Sequence, residues 1–368
     1  MNLSRAVAAA ASATVLAATG WLAVSSQSFT TAISTVTLPS HSSSNTPAGS
    51  GFDAVGVPVN LLLVGSDQRT GAGNRAYGNP AVLDTARADT TMLVHIAADR
   101  TWVSVLSIPR DTVTTVPFDA PACGSGTRTR TRINEAFTAG GPACTVAAVE
   151  QMSGVHINHV MSIDFSGFVS AIDHLGGLRV CLRHPVHDTN AALTLPAGTQ
   201  TVNGKDVLAL MRARKTLADG SDLSRVSRQQ YLLKLLARQL QTSTLTDPYA
   251  TWQAVHVVAD SLTTDRQLAS ARVLADAVSQ VASISGDHIY TATLPTVPDP
   301  ANPQETVVVD TKPAEKYFAD IAADTPPLFT AVISRTGQPQ PSSSSNPDAG
   351  VNGETTPPAV HTLFCAPG

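Results

Sequence analysis

Residues 59–64 form an apolar run of strand length broken only by Asn60, the pattern of a strand covered on both faces. Such a strand obliges the chain to place a layer on each side of its sheet, and the remaining sequence supplies both. Residues 90–96 and 102–108 are β-rich and are joined by residues 97–101, which read as a hairpin turn. Residues 145–154 have helical spacing, with Thr145 as the expected N-cap. A strand at residues 159–165 leads into a helix with Ser166 as its expected cap, ending at Gly176 and Gly177. After a strand at residues 178–182 come a short helix at 205–211 and a longer one from Asp222 with a leucine-rich face. Helices at 254–262 and 267–281, a strand at 288–294 and a last helix at 312–321 complete the series. The expected class is α/β, an α-β-α layered domain around a central mixed β-sheet.

The ends of the chain read differently. Between Arg5 and Asp53 there is no charged residue, and the uncharged stretch at residues 6–24 approaches the roughly 20 residues that span a bilayer. Residues 1–30 are therefore expected to be an N-terminal signal anchor with Arg5 on the cytoplasmic side, a cleaved signal peptide being the alternative. Both readings place the rest outside the cytoplasm, in a single-pass arrangement if the anchor is kept. Residues 31–56, rich in Ser, Thr and Pro, read as a flexible tether, residues 57–327 as the globular domain, and residues 328–368 as a Pro/Ser-rich tail.

Four cysteines without metal-ligand spacing suit disulfides in that compartment. Cys123 with Cys144 is the first expected pair, stapling a loop at residues 124–131, which leaves Cys181 with Cys365. A formal net charge of -4 and the lack of a basic tail argue against nucleic acid as a partner.

Charged residues gather at strand ends. Asp67 follows the first strand, Arg87 and Asp89 open the second, and Arg110 and Asp111 close the third. If residues 97–101 close a hairpin with Ile96 opposite Trp102, Asp89 comes to lie near Pro109 and Arg110. Two carboxylates that share a cleft with phosphate oxygens suit Mg²⁺, which is seldom held by protein ligands alone, and arginines suit phosphate charge. A purely local role, Asp67 in a turn and Asp89 paired with Arg87 or Arg110, is the competing reading. A second group lies further on. Arg212 and Arg214 share a face only if the preceding helix ends near Met211. Arg225, Arg228 and Gln229 fall on one face of the next helix, near an N-terminus that favours anions. Asn134 reads as either a substrate ligand or a helix cap, and His95 as a core residue.

These pieces resemble the LytR–CpsA–Psr family of bacterial cell-wall enzymes. The matching segments are Gly65-Ser66-Asp67-Gln68-Arg69, Arg87-Ala88-Asp89-Thr90, Ser107-Ile108-Pro109-Arg110-Asp111, Arg132-Ile133-Asn134-Glu135-Ala136-Phe137 and Asp164-Phe165-Ser166-Gly167-Phe168. Asn203-Gly204, Arg212-Ala213-Arg214 and residues 222–230 follow in the family's order. Ala88 stands where a Ser is common in the family and Glu135 where a small residue is common, and no counterpart of the family's separate C-terminal domain is expected after Pro327. The resemblance implies a membrane-anchored, extracytoplasmic phosphotransferase that moves a glycopolymer from a polyprenyl diphosphate carrier to a muramic acid hydroxyl of peptidoglycan. It implies Asp67 and Asp89 as ligands of Mg²⁺, with Mn²⁺ as the alternative. Arg69, Arg87, Arg110, Arg212, Arg214, Arg225 and Gln229 would grip the diphosphate, and Asp89 or Asp111 would act as base. A polyprenyl-diphosphate pyrophosphatase, or a lipid-binding protein without transfer, is the alternative.

Overall fold

The structure, a computed structural model, describes residues 33–38, 52, 56–67, 86–117, 122–124, 127–213, 222–246, 256–327 and 363–365. The expected anchor, Arg69 and Arg214 lie outside them. Among the described residues no helix is long and apolar enough to cross a membrane.

The strands in chain order are β1 (Ser34–Val36), β2 (Val59–Ser66), β3 (Ala88–Ile96), β4 (Val103–Ile108), β5 (Val113–Pro117), β6 (Thr127–Arg132), β7 (His159–Asp164) and β8 (Leu178–Leu182). There follow β9 (Val186–Asp188), β10 (Leu193–Leu195), β11 (Gly198–Val202), β12 (Leu262–Asp265), β13 (Ile289–Thr293), β14 (Thr296–Pro298) and β15 (Val307–Val309). The helices are α1 (Ile133–Ser153), α2 (Phe165–His174), α3 (Gly204–Arg212), α4 (Asp222–Thr246), α5 (Ala271–Ser283) and α6 (Thr311–Ala322).

Seven strands make one mixed sheet in the order β1-β12-β7-β2-β3-β4-β13. β2 lies at its centre, as its apolar run requires. Neighbouring residues of β2 serve opposite faces: Leu62 and Val64 pack with α1 and α6, whereas Leu61 joins Leu262, Leu274 and Ala277 on the α5 side. The expected α-β-α architecture is therefore present. A third apolar cluster, containing Val180, Leu210 and Leu232, fills the space among β8, α3 and α4.

β2 runs parallel to β7 and antiparallel to β3, while β3 is antiparallel to β4, and β4 is parallel to β13. The carboxyl ends of β2, β4, β7 and β13 thus share one edge with the start of β3, the edge at which open α/β sheets place ligands.

Several local readings are corrected. Ser34–Val36, inside the expected tether, is an edge strand paired with β12. The first long helix starts at Ile133, not Thr145, and breaks at Gly140 and Gly141; Thr145 Oγ1 donates back to the Gly141 carbonyl at 3.0 Å. Asp164, not Ser166, caps α2 by accepting from Gly167 N at 2.9 Å. Residues 259–262, expected as the end of a helix, are a 3-10 turn and the first residue of β12, and α5 begins at Ala271 rather than Gln267. Much of the loop expected at residues 124–131 is β6, paired with β5. His95 is a core residue, hydrogen-bonded to Asn60 at 2.7 Å and Asp324 at 2.9 Å.

Both expected disulfides are present, Cys123–Cys144 and Cys181–Cys365. The second joins positions 184 residues apart, so it removes much of the unfolded chain's freedom. Around it Cys365 N donates to Cys181 O at 3.0 Å, and buried Phe364 stacks on Tyr231 of α4. Replacing Cys181 and Cys365 with Ser is expected to cost about 2–5 kcal/mol, read as a lower urea midpoint with little change in slope.

Candidate active site

The hairpin register places the first acid–base pair. Thr91 pairs with Ile108 and Ile96 with Val103, one residue from the expected partner Trp102. Two residues beyond Thr91, Asp89 meets Arg110 itself, Oδ1 to Nη1 at 3.0 Å. Arg110 Nε also reaches Asp111 Oδ2 at 3.4 Å.

A bulge between Gly65 and Ser66 ends the β2–β3 ladder. Gly65 suits this crossing because a Cβ there would stand 3.3 Å from the Thr90 Cβ. Beyond the bulge, Asp67 N donates to Arg87 O at 3.0 Å, and Asp67 Oδ1 accepts from Arg87 N at 2.6 Å. Asp67 is thereby tied to the strand start that carries Asp89.

The first turns of α4 complete the arrangement. Arg225 and Gln229, both buried, line a narrow cleft with Asp89, Thr91, Ser107 and Arg110, whose free space is about 10 Å³, the size of a single water. Thr91 Oγ1 is buried in its wall without a hydrogen-bond partner, a polar atom left for a ligand. Gln230 fixes the helix against the sheet, donating to Ser107 Oγ at 3.0 Å and to Ala292 O at 2.7 Å.

Asp89, Arg110, Arg225 and Gln229 thus converge as expected. Asp67, Arg87, Asp111 and Arg212 stand beside the cleft rather than in its wall. Arg212 ends α3, and Ala213 turns to an extended conformation, as the expected helix end requires. Its guanidinium lies over the ring of Phe165, 4.6 Å from the centroid. Phe165 follows Asp164, which pairs in register with Ser66, so Arg212 belongs to the same edge.

Arg228 is not part of the anion group. It is buried, and donates from Nε to Leu210 O at 2.7 Å and from Nη2 to Ala213 O, capping the end of α3. Burial, with the neighbouring Arg225 charge, pushes its guanidinium down to about 10. Asn134 is not a cap either: Arg132 holds the N-cap position of α1, and the Asn134 side-chain oxygen is buried without a partner.

Arg132 was not expected among the site residues. It donates to Asp111 Oδ1 at 3.5 Å and to Glu305 Oε2 at 2.9 Å, extending the charge chain outward from Arg110 and Asp111. The signal lay in register, since Arg132 pairs with Val113, two residues past Asp111.

Asp67 and Asp89 are carboxylates on adjoining strand ends, a donor set of the kind that Mg²⁺ accepts. Among the described residues no group of three or more His, Cys, Asp or Glu could hold an ion. Substrate oxygens and water would complete such a shell, as is usual for Mg²⁺.

The LytR_cpsA_psr family model matches residues 24–322 of this chain. The probable cell wall biosynthesis protein LcpB of Corynebacterium glutamicum is 34% identical over 202 residues, covering 54% of this chain and 46% of that protein. The polyisoprenyl-teichoic acid–peptidoglycan teichoic acid transferase TagT of Bacillus subtilis is 30% identical over 191 residues, covering 50% and 53%. The chain thus spans about half the length of these relatives. Among solved structures, the LytR-Csp2A-Psr enzyme from Actinomyces oris aligns with a TM-score of 0.54 at 23% identity, covering 78% of this chain and 95% of that one. B. subtilis TagV aligns with a TM-score of 0.56 at 22% identity, covering 74% and 99%. These two alignments concern the fold. The match to the family model extends over most of the sequence, and on that ground the chain belongs to the LytR_cpsA_psr family.

Proposed function

We propose that the protein is a membrane-anchored, extracytoplasmic phosphotransferase that moves a glycopolymer from a polyprenyl diphosphate carrier to a muramic acid hydroxyl of peptidoglycan. The observation that carries this reading is the convergence of Asp89, Arg110, Arg225 and Gln229, from distant segments, on one cleft. The polyisoprenyl-teichoic acid transferase activity in the name of the related TagT supports it.

Arg110, Arg225 and Gln229 donate to diphosphate oxygens, joined from the edge by Arg212 and Arg87. Asp67 and Asp89 would hold Mg²⁺, which would supply positive charge to offset that of the phosphoryl group. The acceptor oxygen forms a bond to the sugar-proximal phosphorus while the bridging P–O bond breaks and polyprenyl phosphate leaves. The hydroxyl proton passes to a carboxylate. Asp89 and Asp111 both pair with Arg110, and Asp89 is the one of the two that lies in the cleft wall.

The lipid also needs an apolar bed. On the sheet face that carries the α5 cluster, Leu63, Val105, Met161 and Ile163 are central-strand residues that remain only partly buried. Such open apolar positions in mid-sheet suit a ligand tail.

The test is incubation of the full chain with a lipid-diphosphate-linked glycan and Mg²⁺, with and without peptidoglycan. Polymer bound covalently to peptidoglycan through a phosphodiester is the expected product. Phosphorylated sugar released at equal rates with and without acceptor would instead establish a pyrophosphatase.

A further inference from the structure

We infer that Phe165 is a positioning residue for Arg212, using its ring face to aim the guanidinium edge at the diphosphate; this rests on the function proposed above. Arg212 is exposed at the end of α3, with its guanidinium carbon 4.6 Å from the centroid of the Phe165 ring. A long arginine side chain on a surface has many rotamers, and ordering it opposes ligand binding. A ring beneath it removes part of that freedom before the ligand arrives.

The contact also leaves the right part of the arginine available. A guanidinium stacked on a ring uses its flat face, whereas phosphate oxygens are bound along its edge by the in-plane N–H groups. By contrast, Arg110, Arg130 and Arg132 present N–H groups to carboxylates of Asp89, Asp299 and Glu305. Arg212 is held without such an exchange of edge donors in that contact.

The setting of Phe165 suits this role. It forms a small cluster with Val169, Leu208 and Phe168, distinct from the three larger cores. Leu208 and Arg212 are four residues apart on α3 and so share a helix face. Both ends of α3 are fixed independently. Gly204 N donates to Asp173 Oδ1 at 2.7 Å, and a Cβ at Gly204 would come within 2.3 Å of Val169 O. At the other end Arg228 caps Leu210 and Ala213. The helix is thereby placed, and the direction of its last side chain is left to the ring.

The experiment is a double-mutant cycle on the full chain, with binding of inorganic pyrophosphate in the presence of Mg²⁺ read by calorimetry and folding checked by circular dichroism. Phe165→Leu keeps an apolar side chain but removes the ring, and is expected to weaken binding roughly three- to thirtyfold, the span of cation–π contacts from exposed to desolvated settings. Phe165→Tyr and Phe165→Trp keep a ring and should bind within about twofold of wild type. On an Arg212→Ala background, Phe165→Leu should cause no further loss. Wild-type affinity in Phe165→Leu, or an equal loss with and without Arg212, overturns the inference. Should Phe165→Leu fail to fold, a large loss in the folded Tyr or Trp variant would overturn it. Failure of the wild type to bind pyrophosphate would instead overturn the function on which the inference rests.

Discussion

Arg110→Ala is expected to lower the transfer rate by at least about a hundredfold, the usual scale for losing a preorganised donor to transition-state charge. Arg110 both lines the cleft and contacts Asp89 and Asp111, at 3.0 and 3.4 Å. Its removal deletes a positive charge where phosphoryl charge redistributes and leaves two carboxylates without that counter-charge. The fold should survive. The bond from Asn134 N to Arg110 O uses backbone and persists in alanine. Arg110 and both acids are also about a quarter exposed, so the lost pairs are worth at most about 1 kcal/mol each. A melting temperature close to wild type with transfer nearly abolished is the expected combination. Full activity would remove Arg110 from the chemistry.

Arg228→Leu is expected to act in the other order, stability first and activity through it. The buried guanidinium satisfies two carbonyls at the end of α3, Leu210 O and Ala213 O. A leucine fills part of the volume but leaves both acceptors unpaired, at about 1–3 kcal/mol each. Urea denaturation should show a loss of roughly 3 kcal/mol or more. The last turn of α3 carries Arg212, so below the melting transition the variant should also bind pyrophosphate more weakly. A variant as stable as wild type would show that the α3 terminus does not depend on this cap.

Much of the site was legible because two features propagate position along a chain. Strands joined by a short turn pair in a register that the turn defines, and that brought Asp89 to Arg110 from sequence spacing alone. Helical periodicity likewise put Arg225 and Gln229 on one face. Periodicity does not say which neighbour turns inward, and it groups Arg228 with the anion ligands although its partners are backbone carbonyls. Arg132 escaped notice because its place depends on how β6 pairs with β5, and a Thr/Arg repeat beside a disulfide resembles a loop.

The short strands were hidden for a related reason. Ser34–Val36 and Leu262–Asp265 hold few apolar residues and become strands through their partners in the sheet rather than through local preference. In α1, the Gly140-Gly141-Pro142 break conceals the first turns, which only packing against the sheet makes part of one element. The disulfides were readable because four cysteines allow few pairings and the first pair brackets a single segment.

The central claim is that charged side chains from the sheet edge and α4 form one receptor for a lipid diphosphate. A crystal structure of the protein with a polyprenyl diphosphate analogue and Mg²⁺ tests it most directly. The account predicts the diphosphate against Arg110, Arg225, Gln229 and Arg212, the metal at Asp67 and Asp89, and the chain along Leu63, Val105, Met161 and Ile163. A diphosphate bound away from Arg110 and Arg225 would contradict it.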